Sequence, residues 1–361
     1  MAQTRRREFT SRERILAAME HREADRVAIT ESPWPTTVAR WRKEGLPEGQ
    51  TPASHFRLEL VRMGPDLSFQ LPTQVIEQTD QYVIQKTEHG RVQKSWRHAA
   101  STPELMDFPV KSRGDWEGLK PRLQWNESRV KWEQALEANR KARAGGEFIE
   151  FSGRVGYQAI TTFTPCEVIW VAMAEEPDWV HDMIRTVTDL TLVALEQMLA
   201  RGFEFDGVMC SDDLGYRNGP FFSTRMFREL VMPHHKRYCD AAHARGLKTH
   251  LHSCGNVLPL VPSLIEAGYD ALNPLEVKAG MDLIQMKKEF GDRLCLVGGI
   301  DARAMADPNP ARIEREISLK VPVAKKGGGY IFHSDHSIPD NVSFAQYKRV
   351  VELARKYGGY D

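Results

Sequence analysis

Residues 248–299 read KTHLHSCGNVLPLVPSLIEAGYDALNPLEVKAGMDLIQMKKEFGDRLCLVGG. Three short candidate strands, 248–253, 270–274 and 294–299, are separated by stretches 258–267 and 282–290 whose apolar residues recur at helical spacing. A strand, a helix and a strand repeated in this way predict a parallel sheet covered by helices. The same alternation continues outward from this stretch. Downstream, a predicted helix over 309–320 leads into a strand at 330–333 and a helix at 342–356. Upstream, strands at 147–152 and 205–212 alternate with helices over 167–174, 177–201 and 223–244. With a short strand at 26–30 that ends near Glu31, enough strands are predicted to close a (β/α)8 TIM barrel. A doubly wound open sheet is the alternative.

The N-terminal part elaborates this pattern. Thr10-Ser11-Arg12-Glu13 is a capping box, opening a helix that runs to about His21, and Gly45-Leu46-Pro47 stops a helix over 36–44. From 82 to 96, YVIQKTEHGRVQKSW alternates around His89-Gly90 and predicts a β-hairpin over one mouth of the barrel. Residues 127–144 form a charged amphipathic helix ending at Gly145-Gly146. No repeat or linker interrupts 1–361, so the chain is expected to be one barrel domain.

Composition narrows the function classes. The 361 residues carry 49 Lys+Arg and 49 Asp+Glu, so no net field draws the chain to nucleic acid or to anionic lipid. No apolar stretch approaches the roughly 18 to 20 residues of a membrane span. The opening MAQTRRREFTSRERI is basic but has no apolar run, and no secretory signal is expected. Cys166, Cys210, Cys239, Cys254 and Cys295 are odd in number and scattered, which fits a reducing, cytoplasmic setting better than a disulfide framework.

Polar residues collect where predicted strands end, the place where barrels keep their chemistry. The clusters are Cys210-Ser211-Asp212-Asp213, His250-Leu251-His252-Ser253-Cys254, Asn273-Pro274-Leu275-Glu276, Gly298-Gly299-Ile300-Asp301 and His333-Ser334-Asp335-His336. His250, His252 and Cys254 are two apart, so in a strand they share a face, His252 and Cys254 near the mouth and His250 a layer deeper. Imidazole and thiolate together suit zinc. Two ligands hold no catalytic metal, so a third must come from elsewhere: His336 first, with Glu276, Asp213 and Cys295 behind it. The plainer readings are a buried apolar Cys254, a satisfied His250, and Asp212-Asp213 as caps for loop backbone. The remaining histidines, His235 among them, read as surface or helix-packing residues.

A family resemblance runs along nearly the whole chain. The segments 11–29 (SRERILAAMEHREADRVAI), 33–47 (PWPTTVARWRKEGLP), 105–120, 211–223 (SDDLGYRNGPFFS), 249–256 (THLHSCGN), 273–283, 296–305 and 335–343 (DHSIPDNVS) resemble uroporphyrinogen decarboxylase-like proteins. The resemblance implies a single (β/α)8 barrel. It also divides function. Decarboxylases of the family carry an arginine-rich segment that grips porphyrinogen carboxylates; here the matching residues are Glu31-Ser32-Pro33-Trp34-Pro35-Thr36, without arginine. The other branch contains corrinoid-dependent methyltransferases, whose coenzyme M members bind zinc through an H-x-C pair and a distant Cys before an Ile-Pro step. His252 and Cys254 match the pair, and His336 stands ahead of Ser337-Ile338-Pro339 at the distant position.

The resemblance therefore implies methyl transfer between a small substrate and cobalamin, with a methoxylated aromatic favoured over a thiol. Metal or Asp213 would polarise the ether oxygen, and Tyr216, Arg217 and Asn218 would orient the substrate. No D-x-H-x-x-G cobalamin motif occurs, so the corrinoid is expected on a partner protein. A metal-dependent decarboxylase or lyase acting on a small acid, with Arg217 on its carboxylate, is the alternative; a non-catalytic binding protein fits the converging polar groups less well. A homo-oligomer is compatible with either.

Overall fold

The computed structural model describes residues 8–99 and 101–360. Eight short strands form one sheet: β1 (Ala28–Ile29), β2 (Leu60–Met63), β3 (Phe148–Gly153), β4 (Gly207–Ser211), β5 (Lys248–His252), β6 (Ala271–Asn273), β7 (Cys295–Val297) and β8 (Tyr330–Phe332). Every pairing between them is parallel, and β1 lies beside β8. The circuit closes between β1 and β2, where the Glu59 amide donates to Ile29 O at 3.0 Å and the Ile29 amide donates to Glu59 Oε2 at 2.7 Å. This is the α/β barrel expected from the alternation. Among the described residues no helix is long and apolar enough to cross a membrane.

Side-chain alternation sets what fills the interior. On β3, Ile149 and Phe151 pack outward into the large core beneath the helices, while Phe148 faces inward. Outward residues of other strands (Val208, Leu251, Leu272, Leu296, Tyr330) join the same outer core. The base of the interior is apolar. Helix α1 (Ser11–Met19), opened by the Thr10/Glu13 capping box, plugs it with Ile15, Ala18 and Met19 against Phe148, Ala271, Cys295 and Ile331. One layer up the interior turns polar: Arg62 Nε donates to Glu150 Oε2 at 2.9 Å, and Glu150 Oε1 meets His250 Nδ1 at 2.8 Å. The field of His250 and Arg62 overcomes burial and holds the Glu150 carboxyl down to about 2.

The structure extends two expectations and corrects a third. The eighth barrel strand is Leu60–Met63, which the alternation did not single out. The expected hairpin is present as Tyr82–Lys86 and Val92–Trp96, and it is the centre of a four-stranded antiparallel sheet, flanked by Gln74–Gln78 and Glu104–Asp107. The helix expected from 127 starts only at Trp132, after a single 3-10 turn over Glu127–Arg129.

Candidate functional site

The register of β4 on β5 sets the site. Ser211 lies opposite His252, so the residues two beyond each strand end, Asp213 and Cys254, become neighbours above them. The two loops then run backbone against backbone: the Asn256 amide donates to Tyr216 O at 2.8 Å. Glycines make that approach possible, since a Cβ on Gly255 (φ +78°) would sit 2.3 Å from Gly215 carbonyl atoms. Held this way, Asp213 Oδ1 accepts the Cys254 amide at 2.8 Å.

His252, Cys254 and Asp213 place one donor atom each within 4.8 Å of one another. His252 Nε2 is 3.4 Å from Cys254 Sγ and 3.8 Å from Asp213 Oδ1. The ring's other nitrogen is committed: Nδ1 lies 2.6 Å from Asn273 Oδ1, the residue opposite His252 on β6. An amide oxygen accepts, so Nδ1 carries the hydrogen and Nε2 offers a lone pair. Asn273 Nδ2 donates to Val297 O at 3.4 Å, which orients the amide. Burial favours the neutral imidazole of His252, and burial together with Asp213 and Glu276 pushes the Cys254 thiol up. One nitrogen, one sulfur and one carboxylate with a preset imidazole fit zinc, with a coordination position to spare for substrate.

Asp212, next to Asp213, faces the other way. Its buried carboxylate accepts the amides of Tyr157 (3.1 Å) and Gln158 and pairs with His235 Nε2 at 2.8 Å. It anchors the short helix Tyr157–Thr161, and only a glycine fits at 156, because a Cβ there would meet Asp212 Oδ2 at 2.0 Å. Burial pushes the Asp212 carboxyl up against the pull of His235. His235 continues through Tyr269 to Cys210, whose Sγ is 3.0 Å from the Tyr269 hydroxyl. His235 is thus a buried partner of Asp212, a role its sequence position did not signal. The anchored Gln158 bridges back to the cluster, donating from Nε2 to Asp213 Oδ2 at 2.5 Å and accepting from Ser211 Oγ at 2.7 Å.

The other expected site residues are placed differently. Glu276 and His336 fall outside the 4.8 Å group. Glu276 holds the loop after β5, accepting the Gly255 amide at 2.7 Å and pairing with Lys278 at 2.9 Å. His336 stacks on Trp34, ring centroids 6.2 Å apart; its loop follows β8, three strands round the barrel from β5. Cys295 belongs to the apolar base, in register with Ala271 while His252 pairs with Asn273, a layer too deep. Tyr216 and Arg217 line a cavity of about 450 Å³ together with Cys254 and Glu276. Asn218 is exposed at the tip of the small turn between Gly215–Tyr216 and Gly219–Pro220. Gln158, which steadies the cluster, is not singled out by the sequence, and Asn273 stands there only as part of the Asn273–Glu276 strand-end cluster, without this role.

Comparison with known proteins agrees with this architecture. The family described as uroporphyrinogen decarboxylase (URO-D) matches residues 165–357. The uroporphyrinogen decarboxylase of Shewanella denitrificans is 26% identical over 171 residues, 46% of this chain and 45% of that one. That of Actinobacillus succinogenes is 24% identical over 189 residues, 51% and 50% of the two chains. The matches thus span about half the length of these curated relatives. Among solved structures, a methyltransferase from Methanosarcina mazei superposes with a TM-score of 0.65 over 97% of this chain and 99% of that one, at 17% identity, and so shares the fold.

Proposed function

This chain belongs to the uroporphyrinogen decarboxylase family, and from that premise we propose that it is a methyltransferase that moves a methyl group from a small methoxylated aromatic compound to the cobalamin of a separate corrinoid protein. The observation that carries the reading is the convergence of His252 Nε2, Cys254 Sγ and Asp213 at the barrel mouth, with the imidazole tautomer set by Asn273. The reading also draws on the stretch after β1. The one ionisable side chain among residues 31–36, Glu31, is hydrogen-bonded by the Ser334 amide and hydroxyl, and no arginine stands there to grip a porphyrinogen. A methyltransferase is among the solved chains of the same fold.

In this reading His252, Cys254 and Asp213 hold zinc, in place of the set with His336 and Glu276 that the sequence favoured. These residues would hold the metal at the barrel mouth, where it would supply Lewis acidity toward the ether oxygen of the substrate. Tyr216 and Arg217 border the neighbouring cavity and orient the substrate from the side of Cys254. The oxygen–methyl bond breaks with its electron pair left on the phenolic oxygen. The reduced corrinoid contributes the pair for the new carbon–cobalt bond, and the phenolate takes a proton from water. Gln158 and the Cys254 amide keep Asp213 fixed throughout, so little reorganisation is needed as charge develops.

The test is metal analysis of the purified protein followed by mixing with methoxylated aromatics and a reduced corrinoid protein. One equivalent of zinc and growth of the methylcobalamin absorption are expected. Carbon dioxide release from a small acid without any change at cobalt contradicts the proposal and favours the decarboxylase reading.

A further inference from the structure

A second cavity, of about 730 Å³, lies between the mouth of the barrel and the antiparallel sheet, and it carries two arginines, neither of which forms an ion pair among the described residues. Arg154 follows β3 directly. Its backbone is tied to Thr191, whose hydroxyl donates to Arg154 O at 2.8 Å, but among the described residues its guanidinium forms no hydrogen bond and no ion pair. Arg91 reaches the cavity from the sheet, just past the His89-Gly90 turn. Its Nη2 donates to Gln93 Oε1 at 2.8 Å, while its Nε is buried without a partner. The two guanidinium groups repel one another. The acids whose field reaches Arg154, Glu88 and Asp66, form no ion pair with it among the described residues. Burial and the field of the two arginines hold His89 beside them down to about 3, so it adds no further charge.

Two like charges facing one partly buried space with no acid in direct contact are costly, and a planar guanidinium matches a carboxylate in two parallel hydrogen bonds. The rest of the wall suits a small organic acid: Leu67, Leu105 and Met209 are apolar, Ser152 and Thr162 can hydrogen-bond, and the volume is that of a small-molecule site. Ser211 and Gln158 line the same cavity, and Gln158 donates to Asp213 of the metal-ligand cluster. We propose that this cavity is the binding site for a carboxylate-bearing substrate, with Arg91 and Arg154 as its anion clamp and the Gln158 wall facing the reacting end. The clamp comes from the appended sheet and from the end of β3, not from the stretch after β1. The identity of the reacting end rests on the methyltransferase reading; the clamp does not.

The experiment is calorimetric titration with 3-methoxybenzoate and with its neutral isostere 3-methoxybenzamide, neither requiring turnover. The acid is expected to bind at least ~10-fold more tightly than the amide, the usual advantage of a charge-assisted pair. Arg154→Gln and Arg91→Gln should each remove most of that preference, and Cys254→Ser should leave it intact. Equal affinities, no binding of the acid, a preference that survives both arginine variants, or one lost in Cys254→Ser alone (the acid then sitting on the metal) each overturn the proposal. The wild-type comparison stands even if an arginine variant does not fold. A clamp that binds acid in a protein that transfers no methyl group separates this inference from the methyltransferase reading.

Discussion

His252 hands its Nδ1 hydrogen to Asn273 Oδ1 at 2.6 Å, across the β5–β6 pair, and this leaves its Nε2 facing Cys254 and Asp213. A ligating imidazole works best when the far nitrogen is held in this way. Asn273→Ala should therefore lower zinc affinity by roughly 10- to 100-fold, read by competition with a chromogenic chelator. Asn273→Asp keeps the acceptor and should bind like the parent. Unchanged affinity in Asn273→Ala shows that the lock is unimportant.

The donor set is separable by substitution. Cys254→Ser and Asp213→Asn should each lose most of the bound zinc at equilibrium, whereas His336→Ala should retain a full equivalent, because His336 is stacked on Trp34 outside the cluster. Metal analysis after dialysis decides it. Loss of zinc in His336→Ala with retention in Asp213→Asn contradicts the assignment.

Glu150 predicts the acid limb of stability. Its carboxyl is held at about 2 in the folded protein against an ordinary 4.5, so its contribution is complete above about 4.5 and disappears as pH falls through about 2. Glu150→Gln leaves Arg62 and His250 without their carboxylate and should cost roughly 3 kcal/mol at neutral pH. Its melting temperature should also fall less steeply in acid than that of the parent. Parallel melting curves from pH 6 to 3 contradict this.

Glu31 predicts the opposite sign. Burial, only partly offset by the Ser334 donors, lifts its carboxyl to about 8. A raised value stabilises the fold fully below about 4.5 and loses that contribution as pH rises toward 8. Glu31→Gln should therefore gain stability relative to the parent between pH 5 and pH 8, seen as a rising difference in melting temperature. A constant difference over that range refutes the shift.

Much of this was legible in the sequence, and the misses share one cause. The period-two spacing of His250, His252 and Cys254 states a common face, and the barrel follows from strands and helices in turn. Leu60–Met63 escaped notice because Arg62 is turned into the barrel to meet Glu150, so the strand does not look like a buried one. Asp213 ranked below His336 because strand ends look equivalent along the chain; only the pairing of Ser211 with His252 shows that β4 and β5 are adjacent. Arg91, Arg154 and Gln158 acquire their places through contacts distant in sequence, which spacing does not encode.

The most direct test of the central claim uses 3-methoxybenzoate labelled with carbon-13 in the methoxy group and carbon-14 in the carboxyl group, given to the zinc-loaded protein with a reduced corrinoid protein. The account predicts that the carbon-13 signal moves to cobalt in step with formation of 3-hydroxybenzoate, that the carbon-14 stays in the aromatic acid, and that Cys254→Ser abolishes the transfer. Carbon-14 released as carbon dioxide while the methoxy label stays on oxygen would contradict it.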